Sequence, residues 1–285
     1  MSLSFIPHSR PMLGAEEAEE AHRVVLSGML AQGPEVAGFE QEMARVVGLP
    51  QVAALAHGTG ALHLALLSLG AAPRTEVILP SYSCVSLLNA VAYTGATPVL
   101  VDCLEDAPDI DVSEVLDKRT EATRAVVVPH MFGRAVDLKP LLGKVPVLED
   151  GTHGIGNPRV GQTGAACAYS FYATKMLAGG EGGALATRSS DLDGFARDHR
   201  SYDFCPRWMP RYNYKMTDLA AAILRVQLRR LPAFLQRRAQ LAAQYRDALA
   251  DIPDLILPAP QPGEIHYRFV VRLPGRSLEN VVAGL

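Results

Sequence analysis

The chain of 285 residues has no CxxC pair, and its four cysteines, Cys84, Cys103, Cys167 and Cys205, stand at wide, irregular intervals. Such spacing excludes a zinc ribbon and a disulfide scaffold, and it reads as free thiols in a reducing compartment, with the cytoplasm as the default. No apolar window approaches the ~18 residues of a membrane span. The start, MSLSFIPHSRPML, lacks the basic residues and apolar middle of a secretory signal. Basic charge is not in excess either. Lys and Arg number 27 against 30 Asp and Glu, a net charge of -3 with no long basic run, which argues against a nucleic-acid partner. Internal repeats and low-complexity tracts are missing as well.

What is present is the composition of an ordinary globule, 48% hydrophobic and 20% charged. The length suits one large domain with a smaller appendage. Two helices are expected first, over 15–31 with Glu16, Glu17, Glu19 and Glu20 near its start, and over 36–47. Short apolar runs then alternate with amphipathic stretches. Strands are expected at 52–56, 77–80, 98–102, 124–129, 145–148 and 166–171, with another short one after the glycines at 179–183. Helices are expected at 61–69, 83–93, 112–116 (capped by Asp111), 137–142 and 191–199. Parallel strands buried on both faces, in an α/β architecture, account for this rhythm. Ligands of such sheets sit beyond the carboxyl ends of the strands, where Thr59, Ser81 to Ser83, His130 and Asp150 fall.

After an irregular loop over 201–215, a helix is expected from Met216, with Met216, Leu219, Ile223 and Val226 as its apolar stripe and Pro232 as a kink or break. One further strand is expected at 268–273.

The stretch from Val145 to Thr187 carries the chemistry. Asp150 ends an apolar run, and a carboxylate there must meet a cation or several donors. It reads either as a turn cap or as the partner of a protonated ring nitrogen on a bound cofactor. Lys175 is flanked by the nearly uncharged segments 165–172 and 176–180. Lysines enclosed this way lose their proton more readily and serve as nucleophiles that form imines. An aspartate and an imine-forming lysine together are what pyridoxal phosphate requires of a protein. In the run 166–171, Ala166, Ala168 and Ser170 share one face, and Cys167, Tyr169 and Phe171 the other. The Ser170 hydroxyl and the start of the helix at Thr59–Gly60, where Thr59 suits an N-cap, could grip one phosphate. On its own, His57-Gly58-Thr59-Gly60 is equally a plain strand-to-helix turn.

Seven blocks, in order, give the chain a resemblance to the DegT/DnrJ/StrS family of sugar aminotransferases. They are PHSRPMLGAEEAEEAHRVVLSGMLAQGPEVAGFEQEMA, HGTGALHLALLSLG with EVILPSYSCVSLLNAVAYTGATPVLVD, VPHMFG, LEDGTHGIG, SFYATKMLAGGEGGALAT and YNYKMTDLAAAILRVQL. The resemblance implies an α/β fold-type I pyridoxal phosphate transferase with a mostly parallel, seven-stranded sheet. Its large domain would cover 1–235, and 236–285 would open a small α+β domain that the sequence carries only in part. By the same resemblance Lys175 is the Schiff-base lysine and Asp150 the pyridinium partner, while His153 lies near the cofactor ring. Thr59, Gly60 and Ser170 match phosphate-binding positions. Asn213 matches a residue that reaches the phosphate from a neighbouring subunit, which implies a homodimer with shared sites. The implied reaction moves an amino group from glutamate to a nucleotide-linked keto sugar, with pyridoxamine phosphate as the half-reaction form.

Cys84 stands where the family usually stacks an aromatic ring on the cofactor, a role Tyr82 would have to assume, although a thiol also packs on a ring. Lys215 stands where arginine is common, and it keeps the charge without the bidentate fork. Two other readings stand beside this one. One is a sugar dehydratase of the same fold, which Lys175 argues against, and the other is a non-catalytic relative that keeps the cofactor pocket.

Overall fold

Strands of four to seven residues built from Val, Leu, Ile and Ala hydrogen-bond into one sheet because both their faces can be covered by helices. The computed structural model describes residues 9–203, 205, 207–277, 279 and 281. Two helices, α1 (Ala15–Ser27) and α2 (Pro34–Val47), come first. There follow β1 (Gln51–Leu55), α3 (Gly58–Ser68), β2 (Glu76–Pro80), α4 (Val85–Thr94), β3 (Thr97–Val101), α5 (Val112–Lys118) and β4 (Thr123–Pro129). Beyond them lie β5 (Val147–Asp150), β6 (Ala166–Ser170), β7 (Gly183–Thr187), α6 (Ser190–His199) and α7 (Asp218–Leu249). The sheet runs β1-β7-β6-β5-β4-β2-β3. It is parallel from β6 through β3, while β7 is antiparallel to both its neighbours.

Strand alternation sorts the side chains into separate cores. Ala166 and Ala168 of β6 face a cluster with Leu64, Leu87 and Ala196, from α3, α4 and α6. Cys167 and Tyr169 face the other way, against Phe39 and Met43 of α2 and Leu224 of α7. Toward the β3 edge, Ile78 of β2 and Val126 and Val128 of β4 pack on Val115 of α5. The face assignment expected for 166–171 is therefore the one observed.

Four expectations are corrected. The 139–141 segment is a single 3-10 turn, because Pro140 lies within it and the run is too short for α geometry. Helix α7 runs unbroken through Pro232, and its buried stripe is Ala221, Leu224, Leu228, Leu231 and Phe234 rather than the one through Leu219 and Ile223. Residues 268–273 form no strand; only the isolated bridge Ile256–Arg272 forms there. The N-cap of α3 is His57, not Thr59, and its Nδ1 accepts the Gly60 N–H at 2.9 Å.

A long-range cap fixes the first helices to α7. The Asp218 carboxylate accepts the N–H groups of Gly33, Glu35 and Val36, satisfying the start of α2 from 182 to 185 residues away in sequence.

Candidate active site

The carboxyl ends of β4, β5 and β6 and the start of α3 surround a cavity of about 320 Å³. Asp150, Ser170, Thr59, Cys84, His153 and Lys175 all line it. Of the residues singled out in the sequence, Gly60, Ser81 to Ser83 and Asn213 are not among its walls.

Adjacent carboxylates at the end of β5 point to opposite faces. Glu149 is fully buried and accepts Nε2–H of His130 at 2.7 Å, plus the N–H groups of Gly161, Thr163 and Gly164 at 2.6 to 3.1 Å. Its burial alone would raise its pKa, but His130 and these amides hold it below the ordinary carboxylate range. His130 Nδ1 accepts the Val136 N–H at 3.1 Å, so its proton is on Nε2. Glu149 thus ties down the 161–164 turn. Asp150, by contrast, faces the cavity, with Oδ1 accepting the Thr152 N–H at 3.0 Å.

Lys175 sits on the turn after β6, half-buried, with Nζ 3.3 Å from His153 Nε2. The His153 ring stacks on Tyr267 at 4.0 Å and 14°, and Nδ1 accepts the Phe132 N–H at 3.4 Å. Burial, then the positive charges of Lys175 and Arg268, lower the His153 pKa to about 3. Phe132 itself lies at φ 59°, ψ 11°, a left-handed conformation that costs a non-glycine residue about 1–2 kcal/mol.

Helix α3 begins against Ser170. A Cβ on Gly58 would fall 2.7 Å from the Ser170 Cβ, so only glycine lets the helix start come this close to the hydroxyl. The first N–H groups of a helix have no partner within it and favour anions. Here the Gly60 N–H is taken by His57 and that of Ala61 by the His57 carbonyl, while Gly58 and Thr59 line the cavity. Burial, partly offset by Glu181, lowers the His57 pKa and favours the neutral ring that this cap needs.

Asn213 is exposed between Tyr212 and Tyr214, whose rings stack at 5.1 Å. Tyr214 anchors this segment beside the α3 start, its carbonyl accepting the Ala56 N–H at 2.7 Å and its ring lying edge-on to His57. Tyr82 lines a neighbouring cavity instead of this one, so it does not replace the ring missing at Cys84. Lys215 pairs with Asp203 at 2.6 Å. Glu181 and Thr152 also line the cavity and Tyr267 braces it, none of them marked by a motif in the sequence. Glu181, placed between glycines, was the one with a local signal.

The walls fit pyridoxal phosphate: an amine and a carboxylate stand on one cavity, with a hydroxyl and a helix start for a phosphate.

Comparison with known proteins identifies the family. The model of the DegT/DnrJ/EryC1/StrS aminotransferase family matches residues 11–283. The spore coat polysaccharide biosynthesis protein SpsC of Bacillus subtilis (strain 168) is 37% identical, over 89% of this chain and 72% of SpsC. DesV of S. venezuelae, solved with a ketimine intermediate, superposes with a TM-score of 0.86 at 33% identity, covering 92% of this chain and 74% of DesV. The aminotransferase TlmJ of Streptoalloteichus hindustanus gives a TM-score of 0.89 at 33% identity, over 94% and 79% of the two chains. The chain belongs to the DegT/DnrJ/EryC1/StrS aminotransferase family, whose enzymes depend on pyridoxal phosphate.

Proposed function

We propose that the chain transfers an amino group from glutamate to a keto group on a nucleotide-linked sugar. The observation that carries this is Lys175 and Asp150 on the wall of one cavity whose floor is a hydroxyl and a helix start. The sugar class is supported by the relatives' names, SpsC being a protein of spore coat polysaccharide biosynthesis.

Pyridoxal phosphate, when bound, supplies an aldehyde on which amines exchange and a ring that withdraws electrons. Asp150 keeps a proton on the ring nitrogen, its charge favouring the protonated form. The Lys175 Nζ would hold the cofactor and, as a free amine, would take and return a proton at the substrate carbon. Ser170 Oγ, Thr59 and the N–H groups at the very start of α3 would bind the phosphate, whereas the Gly60 N–H is held by His57. His153 packs near the ring and Cys84 lies in the same cavity. Lys175 favours this reading over a dehydratase.

Asn213 serves the site of a second subunit in a homodimer. Its exposure beside the α3 start supports this, as do the exposed apolar residues Val85, Leu88 and Tyr93 of α4. Residues 236–285 belong to the smaller domain. Free thiols at all four cysteines suit the cytoplasm. Among the described residues, no helix is long and apolar enough to cross a membrane.

The test is a half-reaction on protein reconstituted with pyridoxal phosphate. Glutamate should bleach the visible band of the cofactor, and one member of a panel of nucleotide keto sugars should restore it. A band that no amino donor bleaches would contradict the proposal.

A further inference from the structure

We infer that Tyr267 is a positioning residue for Lys175 and His153, bracing both from outside the cavity. This rests on the assignment of Lys175 given above. Tyr267 is 6% exposed and is not among the residues lining the site.

Its hydroxyl donates to the Thr174 carbonyl at 3.1 Å, while the Lys175 N–H donates to the Tyr172 carbonyl at 2.8 Å. These two bonds hold opposite ends of one peptide unit, the one that joins Thr174 to Lys175. Pinning that plane sets the direction in which the lysine stem leaves the chain. A lysine has four rotatable side-chain bonds, so the aim of its amine depends on how firmly its root is held. The second brace is the ring. Tyr267 covers His153 at 4.0 Å, and the His153 edge meets the Lys175 amine at 3.3 Å. The Lys175 Nζ also lies 5.7 Å from the Tyr267 ring centre.

Tyr267 is itself locked in place. Its N–H donates to the Phe132 carbonyl at 3.3 Å, and its carbonyl accepts from Arg238 of α7 at 2.9 Å. The docking of 265–267 on the 131–133 turn requires a glycine: at φ 97°, a Cβ on Gly133 would lie 2.0 Å from the Ile265 carbonyl oxygen. The strained Phe132 is thereby held from two sides, with its N–H on His153 and its carbonyl on Tyr267. One aromatic residue far along the chain therefore joins the 131–133 turn, α7, the lysine turn and His153.

Two variants separate the braces. Tyr267→Phe removes only the hydroxyl, and Tyr267→Leu removes hydroxyl and ring. Each is reconstituted with pyridoxal phosphate, then assayed for kcat and KM, thermal midpoint, the pH midpoint of the cofactor band, and the lysine labelled by borohydride. For Tyr267→Phe, kcat should fall roughly tenfold with KM for the amino donor within about twofold, as expected of a misaimed reacting group. The pH midpoint of the band should move by about 0.5 unit or more, a change packing alone would not produce. Tyr267→Leu should lose more of kcat, and its thermal midpoint should drop as well.

Unchanged kcat and pH midpoint in Tyr267→Phe, with label on Lys175, would overturn the inference and leave the lysine assignment standing. Label on another lysine would overturn both.

Discussion

The Lys175 amine lies 3.3 Å from an imidazole, His153, that stays neutral down to about pH 3. Its Nδ1 lies 3.4 Å from the Phe132 N–H, and its Nε2 edge faces the lysine amine. His153 is then a neutral planar hydrogen-bonding wall at working pH, not a carrier of charge.

His153→Gln should preserve this role. Loss of the ring stack is worth about 1 kcal/mol, so kcat should fall by no more than about fivefold. The acidic limb of the pH–rate profile should stay where it is. A shift of that limb in the variant would mean that His153 titrates in the wild-type enzyme.

Asp150 makes one local bond, to the Thr152 N–H at 3.0 Å. Asp150→Asn keeps an acceptor for it but removes the charge. A charge-assisted bond contributes about 1.5–3 kcal/mol, so cofactor affinity should weaken roughly 10- to 100-fold while the thermal midpoint of the apo protein barely changes. Equilibrium titration with pyridoxal phosphate measures this. Wild-type affinity in the variant would show that the aspartate is only a turn cap.

Glu149 behaves differently although it is the next residue. Its two oxygens accept from four donors in a fully buried place, and glutamine offers one oxygen while turning an amide against N–H groups. Glu149→Gln should lose about 3–5 kcal/mol of stability, read from urea denaturation at neutral pH. A loss below about 1 kcal/mol would mean that the 161–164 turn does not depend on this anchor.

His63 gives stability a pH dependence. It is 2% exposed among Tyr93, Tyr212 and Tyr214, with Nδ1 3.2 Å from the Tyr214 hydroxyl. Burial lowers its pKa from 6.5 to about 4. Above pH 6.5 the residue is neutral whether folded or unfolded. As the pH falls below that value, the unfolded chain binds a proton that the folded one refuses until about pH 4. Stability should therefore drop between these limits, by up to about 3 kcal/mol from this residue. His153 and His57, also lowered, act in the same direction. His63→Phe should flatten part of that slope in urea midpoints compared at pH 7 and pH 5, and an unchanged slope would contradict the account.

Much of this was readable from local pattern. Val126 to Pro129, Ala166 to Ser170 and the other strands announce themselves because burial on both faces demands unbroken apolar runs. Asp150 and Lys175 were visible because charge is rare in such surroundings. Other features are set by distant contacts that no local period records. His57 displaced Thr59 as the helix cap because its ring, braced by Tyr214, reaches the Gly60 N–H. The apolar stripe of α7 was misaligned because α1 and α2 claim the face on which Arg225 and Arg230 form ion pairs with Glu35, Glu42 and Glu17. Residues 268–273 carry a strand's composition, but among the described residues they form only the one bridge to Ile256. Tyr267 meets Thr174 from 93 residues away.

The central claim is that Lys175 is the residue that holds pyridoxal phosphate, opposite Asp150 in one cavity. Borohydride reduction of the reconstituted protein, followed by peptide mapping, tests it most directly. The account predicts one phosphopyridoxyl group per chain, on the peptide containing Lys175, and none on a Lys175→Ala variant treated the same way. Stoichiometric label on any other lysine, or an equal yield from the variant, would contradict it.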